Sequence, residues 1–128
     1  MQRVGLALGM MVLALAQAAA SETRFERTLR KLAPSARIEQ LCDFTAMKRI
    51  RATSKFRPDR AVGYAVSRGE VTGNTLVAKG AAFRSRKKWY HLSYTCTTTP
   101  DRMKVLKFDY NIGDEIPEER WSAYGLWK

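Results

Sequence analysis

The sequence predicts an α+β fold: N-terminal helices packed on one face of a four-stranded antiparallel sheet, followed by a short C-terminal helix. Three observations carry this. Apolar residues recur at helical spacing in the first part of the chain and at a period of two from Pro58 onward. In the two clearest strands one parity is apolar and the other polar, the pattern of a sheet that is wet on one side. Cys42 lies on the helical stripe and Cys96 on the apolar strand face, so the two patterns meet at one pair of sulfurs.

Taken in order, Ser21 is placed to cap a first helix with Glu22 in its first turn. Phe25, Leu29 and Leu32 form its apolar face. Pro34 interrupts, and Ser35 is expected to cap a second helix over residues 35–53. Ile38, Leu41, Cys42, Met47 and Ile50 make its stripe, with Phe44 off it. A first strand follows Pro58, with Val62, Tyr64 and Val66 alternating. Residues 67–74, with Gly69, Gly73 and Asn74, read as a turn. Strands are then expected over 75–83, 89–97 and 103–112, with Thr99-Pro100-Asp101 turning before the last. One face of the third carries Tyr90, Leu92, Tyr94 and Cys96; one face of the fourth carries Leu106, Phe108, Tyr110 and Ile112. Residues 113–117 end the sheet, and Pro117 suits a first helical residue. Trp121, Tyr124, Leu126 and Trp127 are expected to tuck the tail against the core.

The start of the chain speaks to compartment. Met1-Gln2-Arg3 is cationic, residues 4–20 carry no charge, and the run ends in small residues, the form of a cleavable secretory signal peptide. Residues 1–20 are therefore read as a leader and 21–128 as one α+β domain. No later stretch is long or apolar enough to span a bilayer. In an oxidising compartment Cys42 and Cys96 are expected to form a disulfide.

Charge is the other strong signal. Setting aside Arg3, 22 basic and 12 acidic residues remain, and residues 21–100 hold 17 of the basic and 6 of the acidic ones. Export argues against nucleic acid as the partner and for an anionic envelope component or an acidic protein. Arg84, Arg86, Lys87, Lys88 and Trp89 form the candidate binding patch: a cationic bend running into an aromatic expected on the exposed face. Each surface cation contributes about 1 kcal/mol near an anionic membrane. Four give about 4 kcal/mol, a millimolar dissociation constant, so the bend orients an encounter rather than holding a tight complex.

Several stretches together resemble a known family: 37–43 (RIEQLCD), 56–60 (FRPDR), 80–84 (GAAFR), Trp89-Tyr90, Cys96, and 113–117 (GDEIP) through Trp121. They are similar to the domain of unknown function 930, whose members are small exported proteins of alphaproteobacteria, chiefly of the rhizobial order. The resemblance implies a periplasmic, Gram-negative setting and assigns no catalytic residue, cofactor or activity.

The residues offer little for catalysis. His91 is the only histidine and is expected on the wet face; no serine has a G-x-S-x-G setting. Two distant cysteines and one histidine lack zinc-ligand spacing, so no metal or cofactor is expected. Glu39 and Asp43 lie four apart on one helical face, as do Asp114 and Glu118 if the tail helix starts early. Ion pairing with nearby cations, Arg37 or a lysine across the sheet, is their simplest account. Gly80-Ala81-Ala82 suggests close helix–sheet packing, or a shallow pocket beside Phe83 where Arg84 holds an anion bidentately. The chain thus reads as a non-catalytic interaction module working through its basic hairpin. The alternatives are a small periplasmic hydrolase or transferase using a carboxylate pair, and an inhibitor of an acidic secreted enzyme.

Overall fold

The computed structural model describes residues 22–128. The expected leader at 1–20 and the expected Ser21 cap lie outside the described residues. The protein is α+β. Helix α1 (Arg24–Arg30) and helix α2 (Pro34–Thr53) precede strands β1 (Pro58–Val62), β2 (Glu70–Thr72), β3 (Thr75–Ser85), β4 (Lys88–Thr98) and β5 (Val105–Glu115). A short α3 (Glu118–Trp121) and a 3-10 turn (Ser122–Tyr124) complete the tail. The sheet is antiparallel in the order β1-β3-β4-β5, and β2 pairs with β3 beyond the end of β1. The additional strand β2 falls inside the stretch expected to be only a turn; at three residues it is too short to show a period.

The helix ends depart from expectation by a residue or two. Thr23 caps α1, its Oγ1 accepting from the Glu26 N–H at 3.1 Å. Pro34, expected to interrupt, is instead the first residue of α2, where its missing N–H costs nothing; the cap is Ala33, and Ser35 lies inside the helix. Arg37 joins the two helices. Its guanidinium donates to the carbonyls of Leu29, Arg30, Leu32 and Asp101.

α2 covers one face of the sheet. Ile38, Cys42, Ala46 and Ile50 meet Leu76, Ala78, Ala81, Phe83, Leu92, Tyr94, Cys96 and Phe108. Cys42 and Cys96 are bonded through this layer, their Cα atoms 6.1 Å apart. Met47 is only half-buried. Leu106 is 67% exposed, against expectation, because the β4–β5 register slips between Thr97 and Thr98. That irregularity puts Val105 inward and Leu106 outward.

The reverse face is only partly wet. Ile116, Trp121 and Leu126 fold back over Ala82 and Trp89, with Val62, Ala65 and Tyr124 at the margin. Trp89 is therefore fully buried and not exposed as its parity suggested. Its indole N–H donates to the Trp127 carbonyl at 2.8 Å, and the Trp121 N–H donates to the Ile116 carbonyl at 2.9 Å. Gly80-Ala81-Ala82 leaves no pocket. Ala81 lies under α2, Ala82 lies under the tail, and the loop after β1 crosses Gly80 so closely that a Cβ there would stand 2.3 Å from Ser67 Oγ. Ala65 and Val66 both donate to the Gly80 carbonyl at 2.8 Å, which is why the chain leaves the sheet at Val62 instead of continuing through Tyr64 and Val66.

Candidate functional site

The basic hairpin is a two-residue turn. Ser85 pairs with Lys88, and Arg86 and Lys87 between them have φ of 51° and 67°. Two successive positive φ values are what a tight hairpin turn of this hand needs, and glycine or asparagine usually supplies them. Here two cations do, and their side chains are exposed. Lys88 is exposed as well, with Glu115 at 3.8 Å. The adjoining strand adds charge: the Arg57 N–H donates to Ser85 Oγ at 2.9 Å, and Arg60 pairs with Arg84 across β1 and β3. Arg57 and Arg60 are both exposed.

Arg84 belongs to a different arrangement. Its Nε and a terminal nitrogen donate to the two Asp59 oxygens at 3.0 and 2.8 Å. The guanidinium lies 5.8 Å from the Trp89 ring and 5.9 Å from the Trp127 ring. The bidentate carboxylate partner expected for Arg84 is thus within the chain. The hydrogen bond from Arg84 holds the Asp59 carboxyl below its usual range. A hollow of about 560 Å³ beside the turn is lined by Asp59, Arg84, Lys87, Glu118, Trp121 and Lys128. Lys128 pairs with Glu118 at 3.1 Å, so among the described residues Lys87 is the cation of this hollow without an ion-pair partner. The structure therefore gathers Arg86, Lys87 and Lys88 with Arg57 and Arg60 at one end of the sheet, and withdraws Arg84 and Trp89 from the expected patch.

Of the four carboxylates expected to be ion-paired, Glu118 is, to Lys128, whereas among the described residues Glu39, Asp43 and Asp114 are not. Asp43 is 8% exposed and accepts from the Tyr94 hydroxyl at 2.7 Å. Burial pushes its carboxyl up to about 7, against the opposing pull of Tyr94 and the Gly63 N–H. Gly63 is tight against this contact, since a Cβ there would lie 3.0 Å from the Tyr94 hydroxyl and 3.1 Å from Asp43 Oδ1. Arg37 does not serve either carboxylate, because backbone carbonyls occupy it. Glu39 is half-buried beside Tyr64, Arg68 and Gly69, around a cavity of about 310 Å³. Asp114 lies in β5 and Glu118 opens α3, so they do not share a helical face. The Asp43–Tyr94 contact had a signal in the sequence: Asp43 follows Cys42 on the stripe, and Tyr94 shares the strand face of Cys96.

His91 is half-buried on the reverse face, in a shallow hollow with Lys79, Ser93 and Asn111; no acidic side chain lines it. Among the described residues no group of three or more histidine, cysteine or acidic side chains is placed to hold a metal ion. No described helix is long and apolar enough to cross a membrane.

A family model for a Domain of Unknown Function (DUF930) matches residues 29–126. The chain belongs to this family. The match runs from the last residues of α1 to the tail over Trp89, so both covered faces of the sheet lie within the family's span. No curated protein matches the chain, and no solved structure does.

Proposed function

We propose that this DUF930 protein is a periplasmic, non-catalytic interaction module whose cationic hairpin end meets an anionic envelope component or an acidic protein. The observation that carries the reading is the grouping of Arg57, Arg60, Arg86, Lys87 and Lys88 around one two-residue turn, where Asp59 is already held by Arg84 and Glu115 approaches only Lys88, at 3.8 Å. The leader-like residues 1–20 and the Cys42–Cys96 bond support the exported setting. Cations this exposed act through long-range attraction, which salt screens over about 10 Å at 0.1 M.

The test is capture of envelope fractions by the purified protein. Binding is expected to fall steeply with added salt and to weaken about tenfold or more when Arg86, Lys87 and Lys88 become glutamine, with the melting temperature unchanged. Protease treatment of the envelope separates a protein partner from a lipid or polymer. Capture indifferent to both salt and the glutamines would end the proposal.

One observation favours a second reading, a small hydrolase or transferase using Glu39 and Asp43. Asp43 lacks a cationic partner and has a carboxyl poised near neutrality, and Glu39 lines a cavity next to it. Asp43 is, however, closed over by Gly63 and tied to Tyr94, as a structural buried carboxyl is.

A further inference from the structure

A second feature lies apart from the hairpin, along the outer side of α2. Between α1, α2 and the start of β5 runs a groove of about 690 Å³, within the range of small-molecule sites. Its floor is apolar: Phe25, Leu29, Leu41, Phe44, Met103 and Val105. Phe25 and Phe44 stack at 4.0 Å, which explains why Phe44 sits off the stripe that faces the sheet. At about 1.5 Å per helical residue, the lining from Leu41 to Ala52 is about 16 Å long.

The rim is cationic. Lys48, Arg49 and Lys104 line the groove, and among the described residues none of the three takes part in an ion pair. Lys48 Nζ stands 5.7 Å from the centre of the Phe44 ring, so one cation is held where floor meets mouth. Glu26 is the one acidic side chain in the lining. The neutral polar side chains are engaged within their own helices: Thr45 donates to the Leu41 carbonyl at 2.8 Å, and Thr23 accepts from the Glu26 N–H. A peptide laid in this floor would bury amides without partners, whereas an alkyl chain has none to satisfy.

We propose that the groove binds a medium-chain fatty carboxylate, its alkyl chain on the Phe25–Phe44 floor and its head among Lys48, Arg49 and Lys104. The apolar floor and unpaired cationic mouth match an apolar tail with an anionic head. A neutral amphiphile leaves the cations unmatched, and a cationic one is repelled.

Calorimetric titration of the full exported chain with dodecanoate, below its micelle concentration, tests this. Saturable binding at about one per chain is expected, at least tenfold tighter than dodecanol. Dodecyltrimethylammonium should not bind. Charge reversal at Lys48→Glu with Arg49→Glu should weaken dodecanoate about tenfold or more and leave dodecanol unchanged. Lys48→Gln provides a milder variant should the double change disturb folding. Ala52→Trp, at an exposed position on the groove, should abolish both ligands. The hairpin glutamine variant should bind dodecanoate like the parent, so this inference and the hairpin proposal fail separately. Equal affinity for carboxylate and alcohol, no saturable binding, or a dimer that Ala52→Trp dissociates would each overturn the proposal.

Discussion

Under α2 the sheet meets a twenty-residue helix bonded to β4 through Cys42 and Cys96, and the one buried carboxyl there, Asp43, is met by the neutral Tyr94 hydroxyl and Gly63 N–H and by no cation. On the reverse face the cover is the tail from Ile116 to Trp127, with no covalent tie, and the carboxylate beside it, Asp59, is half-exposed with an arginine fork. The helix-covered face is sealed by packing and the disulfide and carries its polar group as a buried exception. The tail-covered face leaves its charge in water, where an ion pair contributes little. The same side-chain chemistry is thus perturbed in opposite directions on the two sides of one sheet.

The largest way to break that contrast is to open the bond between α2 and β4. The cysteines are 54 residues apart, and in the chain-entropy model closing such a loop stabilises by about 4 kcal/mol. Cys42→Ala with Cys96→Ala is expected to lose about that much in denaturant unfolding under oxidising conditions. Reduction of the parent should reproduce the loss, and the double variant should be insensitive to reductant. A parent whose unfolding midpoint ignores reductant would show that the helix-covered face is held by packing alone.

The next effect is in pH. A carboxyl raised from 3.8 in the unfolded chain to about 7 in the fold binds a proton more readily when folded. Stability from Asp43 is therefore full below about pH 4 and is lost as pH rises toward 7, at about 1.4 kcal/mol per pH unit, on the order of 4 kcal/mol in all. Asp43→Asn keeps an acceptor for Tyr94 and should flatten this slope, leaving the variant more stable than the parent at pH 8. Asp59 has the opposite sign. Its lowered value gives stability that is present at neutral pH and lost on acidification; being exposed, it contributes less than about 1 kcal/mol. Unfolding curves from about pH 2 to 8 should separate the two: relative to the parent, Asp43→Asn gains stability as pH rises from about 4 toward 7, and Asp59→Asn gains as pH falls below about 4. Parallel curves would mean that the two faces do not differ in the way argued.

How much of this was legible in the sequence follows from the range of each interaction. Strand parity placed Tyr90, Leu92, Tyr94 and Cys96 on one face, and helical spacing placed Ile38, Cys42 and Ile50 toward it, because burial on one side imposes a local period. What parity cannot carry is a register slip, which turned Leu106 outward, or a chain crossing, which took Tyr64 and Val66 off the sheet at Gly80. Trp89 had the right parity and the wrong burial, since the segment that covers it arrives about thirty residues later in the sequence. The patch at 84–89 was legible as charge. Its division into an engaged Arg84 and exposed Arg86, Lys87 and Lys88 was not, because Asp59 approaches from another strand.

An effect of similarly small size bears most directly on the hairpin. Arg86 and Lys87 occupy left-handed backbone, where a side chain with a Cβ costs about 1 kcal/mol relative to glycine, and asparagine is better tolerated than arginine. Arg86→Asn with Lys87→Gly should therefore stabilise the protein by about 1 kcal/mol, raising the melting temperature by roughly 4–8 °C for a domain near this size. The same change removes two of the exposed cations and should weaken envelope capture. A turn that gains stability while losing binding is what is expected where backbone strain is retained for the side chains it displays. If the variant melts higher and captures envelope as well as the parent, the cations at this turn are surface charge and the contrast between the two faces is one of packing only.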